Sequence, residues 1–525
     1  MSIDARDHPA DDPGATTTPE HSDLGTAEHR GPDAEHMRHV EAEQHTRTPA
    51  PEQPRTTDNH RMTLAEEQNA ADVDAEPAGP DPAERIVTNQ PRGPDIDPKA
   101  LESDSAPAQY DIPAGPEVIE PEQRRTAAVD AVCARHQVDT PEGRAAVEKA
   151  YEVVFDYQAP FVVRHTIDIL EDCKKDLAAT PDAVVAYLGR DGHPIALAAY
   201  ELDREFFETN CTEVTVSRCL ADSAVQDLER NAGKTFEAIE EFRSARDDVD
   251  PADIPGAKAR LTRYLELREL PVGTPGSTVI LVDSSFKGTV QELLSATYPD
   301  ITFRGRYLIC GESPNDPHPG SKTGYALHQS VDGGSADPAD DPAAILAEKD
   351  AVLAIEHILR GPYSKAVRFG PDHIPAQELE SPPLDQINPL DVARDYVDAN
   401  VRLAVMEINQ FAVSHYASDI AALRRAGGDW HNELATKSET FLRQVRSWVT
   451  RDSDTDPAFA QLCDSFVRRT DKNLVGNLRT AIEHRGLDDS DATQVWRDYQ
   501  QLGSLEAKEA FVHRRTDPST GASHG

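Results

Sequence analysis

Four short stretches of extended-chain character set the limits on this fold. Residues 183–188 (AVVAYL), 277–282 (STVILV) and 303–310 (FRGRYLIC) are apolar runs bounded by turn residues, and 212–217 (TEVTVS) alternates in polarity. Helical stretches lie between them, near 194–207, 225–246, 257–270 and 290–297. Strand alternating with helix predicts an α/β domain built on a mainly parallel sheet. Three helices are expected ahead of it. One covers PEQRRTAAVDAVCARHQ. The next starts at Pro141 with Thr140 as its N-cap, and the third covers 160–177.

The part of the chain able to fold is shorter than its 525 residues. No Phe, Trp or Tyr precedes Tyr110, and 17 of the 39 prolines fall at or before Pro121. Such a segment cannot bury enough apolar area to offset its chain entropy. Residues 1–120 are therefore expected to form a disordered acidic tail, open to a protein partner. The α/β domain with its leading helices is expected over 121–330. The Gly/Ser/Asp/Pro-rich stretch 331–343 reads as a linker, 344–515 as a mainly helical region, and 516–525 as a second disordered tail.

Charge narrows the partners. Ninety-four acids against 53 bases give a net charge of -41. That surface repels phosphate backbones and anionic lipid, so neither nucleic acid nor membrane is an expected partner. No run of 18 apolar residues occurs, and the N-terminus lacks the basic and apolar regions of an export signal. A cytoplasmic location is expected. The six cysteines include no CxxC pair, which points to reduced, buried thiols.

Ligands of parallel α/β sheets bind beyond the carboxyl ends of the strands. Three such ends carry polar residues here. After 183–188 comes Gly189-Arg190-Asp191-Gly192, where Asp191 can serve as nucleophile or ion ligand and Arg190 can hold a phosphate. The alternative for this segment is an ordinary turn. After 212–216 come Ser217 and Arg218, a hydroxyl and a guanidinium suited to phosphoryl oxygens, or else a structural serine and a salt-bridged arginine. After 277–282 comes Asp283-Ser284-Ser285-Phe286-Lys287-Gly288-Thr289. Here an acid precedes a small polar loop and a helix start. Asp283 is a candidate metal ligand, and Lys287, Gly288 and Thr289 are candidate phosphate contacts.

These strand ends resemble the haloacid-dehalogenase (HAD-like) order of a strand-end nucleophilic Asp, a strand-end Ser/Thr, a Lys and a final magnesium-binding acid. Asp191, Ser217, Lys234 or Lys258, and Asp283 fall in that order. The family's first motif is Asp-x-Asp, with the second Asp as general acid/base. Here His193 stands in that place, and a histidine can shuttle protons near neutral pH. Over 183–369 the chain is similar to bacterial predicted HAD-superfamily hydrolases. It shares an "RDG" motif at Arg190-Asp191-Gly192, "SR" at Ser217-Arg218, a "VDxGxxGTxQ"-like segment at 282–291, and Gly324-Tyr325. The F-D-x-F-D-T core that precedes this region in those relatives has no counterpart here.

The resemblance implies a HAD-like Rossmannoid sheet. It also implies a magnesium-dependent phosphohydrolase or phosphotransferase acting on a small phosphorylated metabolite. Asp191 and His193 would be catalytic, and Asp191 and Asp283 would hold Mg2+. Arg190, Ser217, Arg218, Lys287, Gly288 and Thr289 would bind the phosphate. Two alternatives stand beside it. One is a non-catalytic phosphate-ligand-binding or scaffold protein. The other is a phosphoribosyltransferase-like enzyme, whose phosphate loop VILVDSSFKGT matches in outline.

Overall fold

The computed structural model describes residues 120–516, except Ser285, Asp372 and residues 332–340, 381–386, 469–470 and 503–504. The expected N-terminal tail, most of the expected linker and nearly all of the C-terminal tail lie outside the described residues.

Three helices open the described chain: α1 (Pro121–Arg135), α2 (Pro141–Asp156) and α3 (Gln158–Ala179). Thr140 caps α2, its side chain accepting the Gly143 N–H, and Pro141 fills the first turn, where no amide donor is needed. Then β1 (Val184–Leu188), α4 (His193–Leu202), α5 (Arg204–Asn210), β2 (Cys211–Val214) and α6 (Arg218–Ala232) follow. Next are α7 (Ala257–Leu267), β3 (Thr278–Asp283), α8 (Thr289–Thr297), β4 (Thr302–Gly311) and β5 (Lys322–Gln329). The helical remainder comprises α9 (Lys349–Leu359), α10 (Ala399–Arg425), α11 (Trp430–Val449), α12 (Pro457–Phe466), α13 (Lys472–Arg485), α14 (Asp489–Gln500) and α15 (Leu505–Thr516).

The five strands form one sheet in the order β2-β1-β3-β4-β5, and every neighbouring pair is parallel. Both faces are covered, and the side-chain alternation shows how. Val185, Tyr187, Ile280 and Val282 enter a core shared with the leading helices and α9–α12. Ala186, Leu188, Val279 and Leu281 face a second core with α6, α7 and α8. A strand buried on both sides cannot alternate in polarity, which is why β1 and β3 read as continuous apolar runs. A separate small core joins α13, α14 and α15 through Val475, Leu478, Trp496 and Tyr499.

Two expected helices come out broken. Asp203 interrupts the stretch expected over 194–207, its side chain accepting the Phe206 N–H to start α5 afresh. Gly233, at φ +60°, ends α6, and only a short 3-10 turn (Glu237–Phe242) follows within the helix expected over 225–246. All six cysteines are buried and unbridged. Among the described residues, no helix is long and apolar enough to cross a membrane.

Candidate functional site

The chain runs from β1 outward to β2, then returns to place β3 on the other side of β1. The strand order therefore reverses between β1 and β3, and the carboxyl ends flanking that reversal leave a crevice. A cleft of about 70 Å³ opens there. That is several times the roughly 10–15 Å³ needed by one water molecule, so a small polyatomic group fits.

The β1 loop supplies Gly189, Arg190 and Asp191 to the cleft. The Gly189 N–H donates to the Val214 carbonyl at 2.6 Å, continuing the β1–β2 pairing past the strand end. Arg190 then adopts φ +78°, a left-handed conformation uncommon for a side-chain-bearing residue. Its guanidinium forks onto the next carboxylate, with Nε to Asp191 Oδ1 at 3.1 Å and Nη2 to Oδ2 at 3.2 Å. At Gly192 a Cβ would lie 2.5 Å from the Leu188 carbonyl oxygen and 2.9 Å from that of Val282. Glycine is required there so that α4 can start directly against the β1 and β3 backbones.

The β2 end supplies Thr215, Val216, Ser217, Arg218 and Cys219. Ser217 is the N-cap of α6, its Oγ accepting the Leu220 N–H at 3.2 Å while donating to the Ala366 carbonyl. The first turn of α6 therefore borders the cleft, where its amides and dipole favour an anion. Arg218 reaches Ser244, which also lines the cleft.

At β3, Asp283 lines the cleft, with Oδ1 accepting the Ser284 N–H at 2.7 Å. Lys287, Gly288 and Thr289 lie elsewhere. Lys287 pairs with Glu241 at 3.1 Å. Burial opposes ionisation of Glu241, but hydrogen bonds from Ser313 and Asn315 together with Lys287 outweigh it and hold the carboxyl below its usual range. Gly288 sits at φ +70° against Lys322 and Tyr307, and buried Thr289 begins α8. Lys322 is itself paired with Glu292 and Asp316, so both lysines of this corner are engaged by carboxylates.

Of the residues singled out from sequence, Arg190, Asp191, Ser217, Arg218 and Asp283 meet in the cleft, whereas Lys287, Gly288 and Thr289 do not line it. His193 does not line it either. It is buried at the start of α4, with Nδ1 2.6 Å from Glu213 Oε2. Neither Lys234 nor Lys258 reaches the cleft. Lys234 is exposed, and Lys258 lies over the Tyr298 ring. The lysine that does line the cleft is Lys365, on a segment over which Tyr363 bridges Leu379 and Phe369 bridges Pro375.

Sequence reasoning also missed Glu356 and Asp248. Glu356 is buried on α9, and its Oε1 accepts from Ser284 Oγ at 3.0 Å. It is the one acid in the apolar stretch 351–359, a signal visible in the sequence. Lys365 and Asp248 sit in irregular segments that offer no comparable signal.

The lining carboxylates are Asp191, Asp248, Asp283 and Glu356, and the lining cations are Arg190, Arg218 and Lys365. Four formal negatives against three positives leave -1. Among the described residues, no three His, Cys, Asp or Glu side chains come together as a ready-made metal cage. No protein-family model matches the chain, and no significant match was found among curated proteins.

Proposed function

We propose that this cleft binds the phosphoryl group of a small phosphorylated metabolite and transfers it, in the manner of a HAD-like phosphohydrolase or phosphotransferase. One observation carries the reading. Arg190, Asp191, Ser217, Arg218 and Asp283, from three adjacent strand ends, border a single cleft at the reversal point of the sheet. β1, which leads into Asp191, lies between β2 and β3, which lead into Ser217 and Asp283.

The charge balance supports a divalent cation as co-ligand. With Glu356 charged the lining sums to -1 and with it protonated to zero, so in neither state does it attract a phosphate dianion, and Mg2+ would supply the missing positive charge. Magnesium commonly takes one or two protein carboxylates and completes its shell with water and phosphate oxygens, so a three-acid cage is not needed. Asp191 and Asp283, lining the same cleft, would hold it, and it would neutralise charge on the transferring group.

The chain's own residues do the rest. Arg218 and the first turn of α6 take phosphate oxygens, and Lys365, which lines the same cleft, adds a second charge. Arg190 orients the Asp191 carboxylate, whose oxygen attacks phosphorus.

A binding protein without turnover is the second reading. It is favoured by the fork of Arg190 on both Asp191 oxygens and by the engagement of the Ser217 hydroxyl with Leu220 and Ala366. A phosphoribosyltransferase draws no such support, because Lys287, Gly288 and Thr289 of its loop lie off the cleft.

A panel of phosphomonoesters with Mg2+ tests the proposal on the wild type and Asp191→Asn. Turnover by the wild type that falls to background in the variant is expected. Full activity in Asp191→Asn removes the nucleophile role. Thermal stabilisation by sugar phosphates without any turnover selects the binding reading, and the absence of both overturns each of them.

A further inference from the structure

We infer that Glu356 is the proton donor and acceptor of this cleft, occupying the role that the sequence pattern assigns to position 193; the inference rests on the phosphoryl-transfer reading above. Three observations lead to it.

First, the residue at the expected position is elsewhere. The His193 side chain is buried at the start of α4, beside Glu213, and does not line the cleft. A phosphoryl transfer to water still requires a group that protonates the leaving oxygen and deprotonates the attacking water.

Second, two of the lining carboxylates come from outside the β1 and β3 loops, and they differ in environment. Asp248 is exposed to solvent. Glu356 is 7% exposed and lies on α9, where every residue from Ala351 to Leu359 is buried. A carboxyl shielded from bulk water in this way is better placed to exchange a proton with a bound group than the exposed Asp248. The neighbouring charges that line the cleft act in both directions. Asp191, Asp283 and Asp248 favour the protonated form, while Arg190, Arg218 and Lys365 oppose it.

Third, Glu356 is aimed. Its Oε1 is held at 3.0 Å by the hydroxyl of Ser284, the residue directly after Asp283 at the tip of β3. The tip of the central strand and a fully packed helix thus hold the carboxyl in the lining of the cleft that Asp191 and Asp283 share. Such fixing on rigid elements is what proton transfer requires.

The chemistry balances without an added reagent. In the first half, an Asp191 oxygen bonds to phosphorus, the phosphorus–oxygen bond to the leaving group breaks, and the Glu356 proton passes to the departing oxygen, releasing an alcohol. In the second half, Glu356, now a carboxylate, takes a proton from water as the water oxygen bonds to phosphorus. The Asp191–phosphorus link breaks, phosphate leaves, and Glu356 is again protonated.

Leaving-group dependence tests this directly. A nitrophenolate leaves without protonation, whereas an alkoxide does not. The wild type and Glu356→Gln are compared, with Mg2+, by release of nitrophenolate from 4-nitrophenyl phosphate and of glycerol from glycerol phosphate in a single turnover, because the later attack of water on phosphorus is common to both. The glutamine keeps the size of the side chain and an acceptor for Ser284. The expected result is a loss of about 10²–10⁴-fold on glycerol phosphate and under about tenfold on 4-nitrophenyl phosphate. Equal losses on both substrates, or none on either, overturn the role. Should Glu356→Gln fail to fold, Glu356→Asp, which sets the carboxyl back by one methylene, must show the same bias toward the alkyl substrate. If the wild type turns over neither compound nor any of the wider panel, the phosphoryl-transfer reading itself falls. That outcome is distinct from an active wild type with an indifferent Glu356.

Discussion

Gly192 shows how little room the β1 loop has. The atoms that a Cβ would meet, the carbonyl oxygens of Leu188 and Val282, belong to the backbones of β1 and β3 and cannot rotate away. Its own φ of -83° is acceptable to any residue, so the requirement is close approach and not backbone strain. Gly192→Ala is therefore expected to destabilise the protein by about 1–3 kcal/mol, as overpacking does. Because the strain would part β1 from β3, thermal stabilisation by phosphorylated ligands should fall with it. A urea midpoint equal to that of the wild type would show that the two strands have slack. Arg190, two residues earlier, holds a left-handed backbone that costs of order 1 kcal/mol or more, and its fork onto Asp191 fixes where that carboxylate points.

At the scale of elements, the start of α6 joins two parts of the site. The Ser217 hydroxyl caps the helix and also donates to the Ala366 carbonyl, on the segment that carries Lys365 and Gln377 to the cleft. That segment is otherwise tied to itself, by bridges of Tyr363 with Leu379 and Phe369 with Pro375 and by hydrogen bonds such as Ser364 N–H to the Glu378 carbonyl at 2.8 Å. Ser217→Ala should cost about 0.5–2 kcal/mol from the lost cap. It should also speed amide exchange around residues 363–379 while leaving the amides of β1 and β3 protected. Uniform exchange across the chain would argue that Ser217 acts on global stability alone. Sequence reasoning located this hydroxyl at a strand end but could not show that both of its hydrogen-bonding capacities are engaged. Its partner Ala366 lies 149 positions away.

In the molecule as a whole, one core runs from α1 through one face of the sheet to α9–α12, so acid that charges groups inside it acts on the entire fold. Burial, reinforced by Arg164, pushes His165 down to about 3, and burial with Arg124 does the same to His415, whose Nδ1 meets the Tyr151 hydroxyl at 2.9 Å. Both histidines stay neutral in the folded chain but titrate near 6.5 when unfolded. Their contribution is therefore complete above pH 6.5 and is lost progressively as pH falls toward 3. At pH 5 each accounts for about 2 kcal/mol. Urea midpoints at pH 7 and pH 5 check this, and the double variant His165→Leu, His415→Phe should show a clearly smaller drop than the wild type. The α/β architecture was legible because β1 and β3 are apolar on both faces, which only a doubly covered sheet allows. The edge strand β5, KTGYALHQ, was not legible, since its mixed polarity matches no single period. What the amino-acid sequence determined by itself was local: which runs extend, which turns end them, and that Asp191, Ser217 and Asp283 stand at strand ends. What only tertiary structure decided was convergence. The strand order set β1 between β2 and β3, ion pairing with Glu241 drew Lys287 away, and packing of α9 among α10–α12 brought Glu356 to the tip of β3. The physical reason is that a side chain's partners are chosen by packing across hundreds of positions, whereas periodicity and turn chemistry act over only a few.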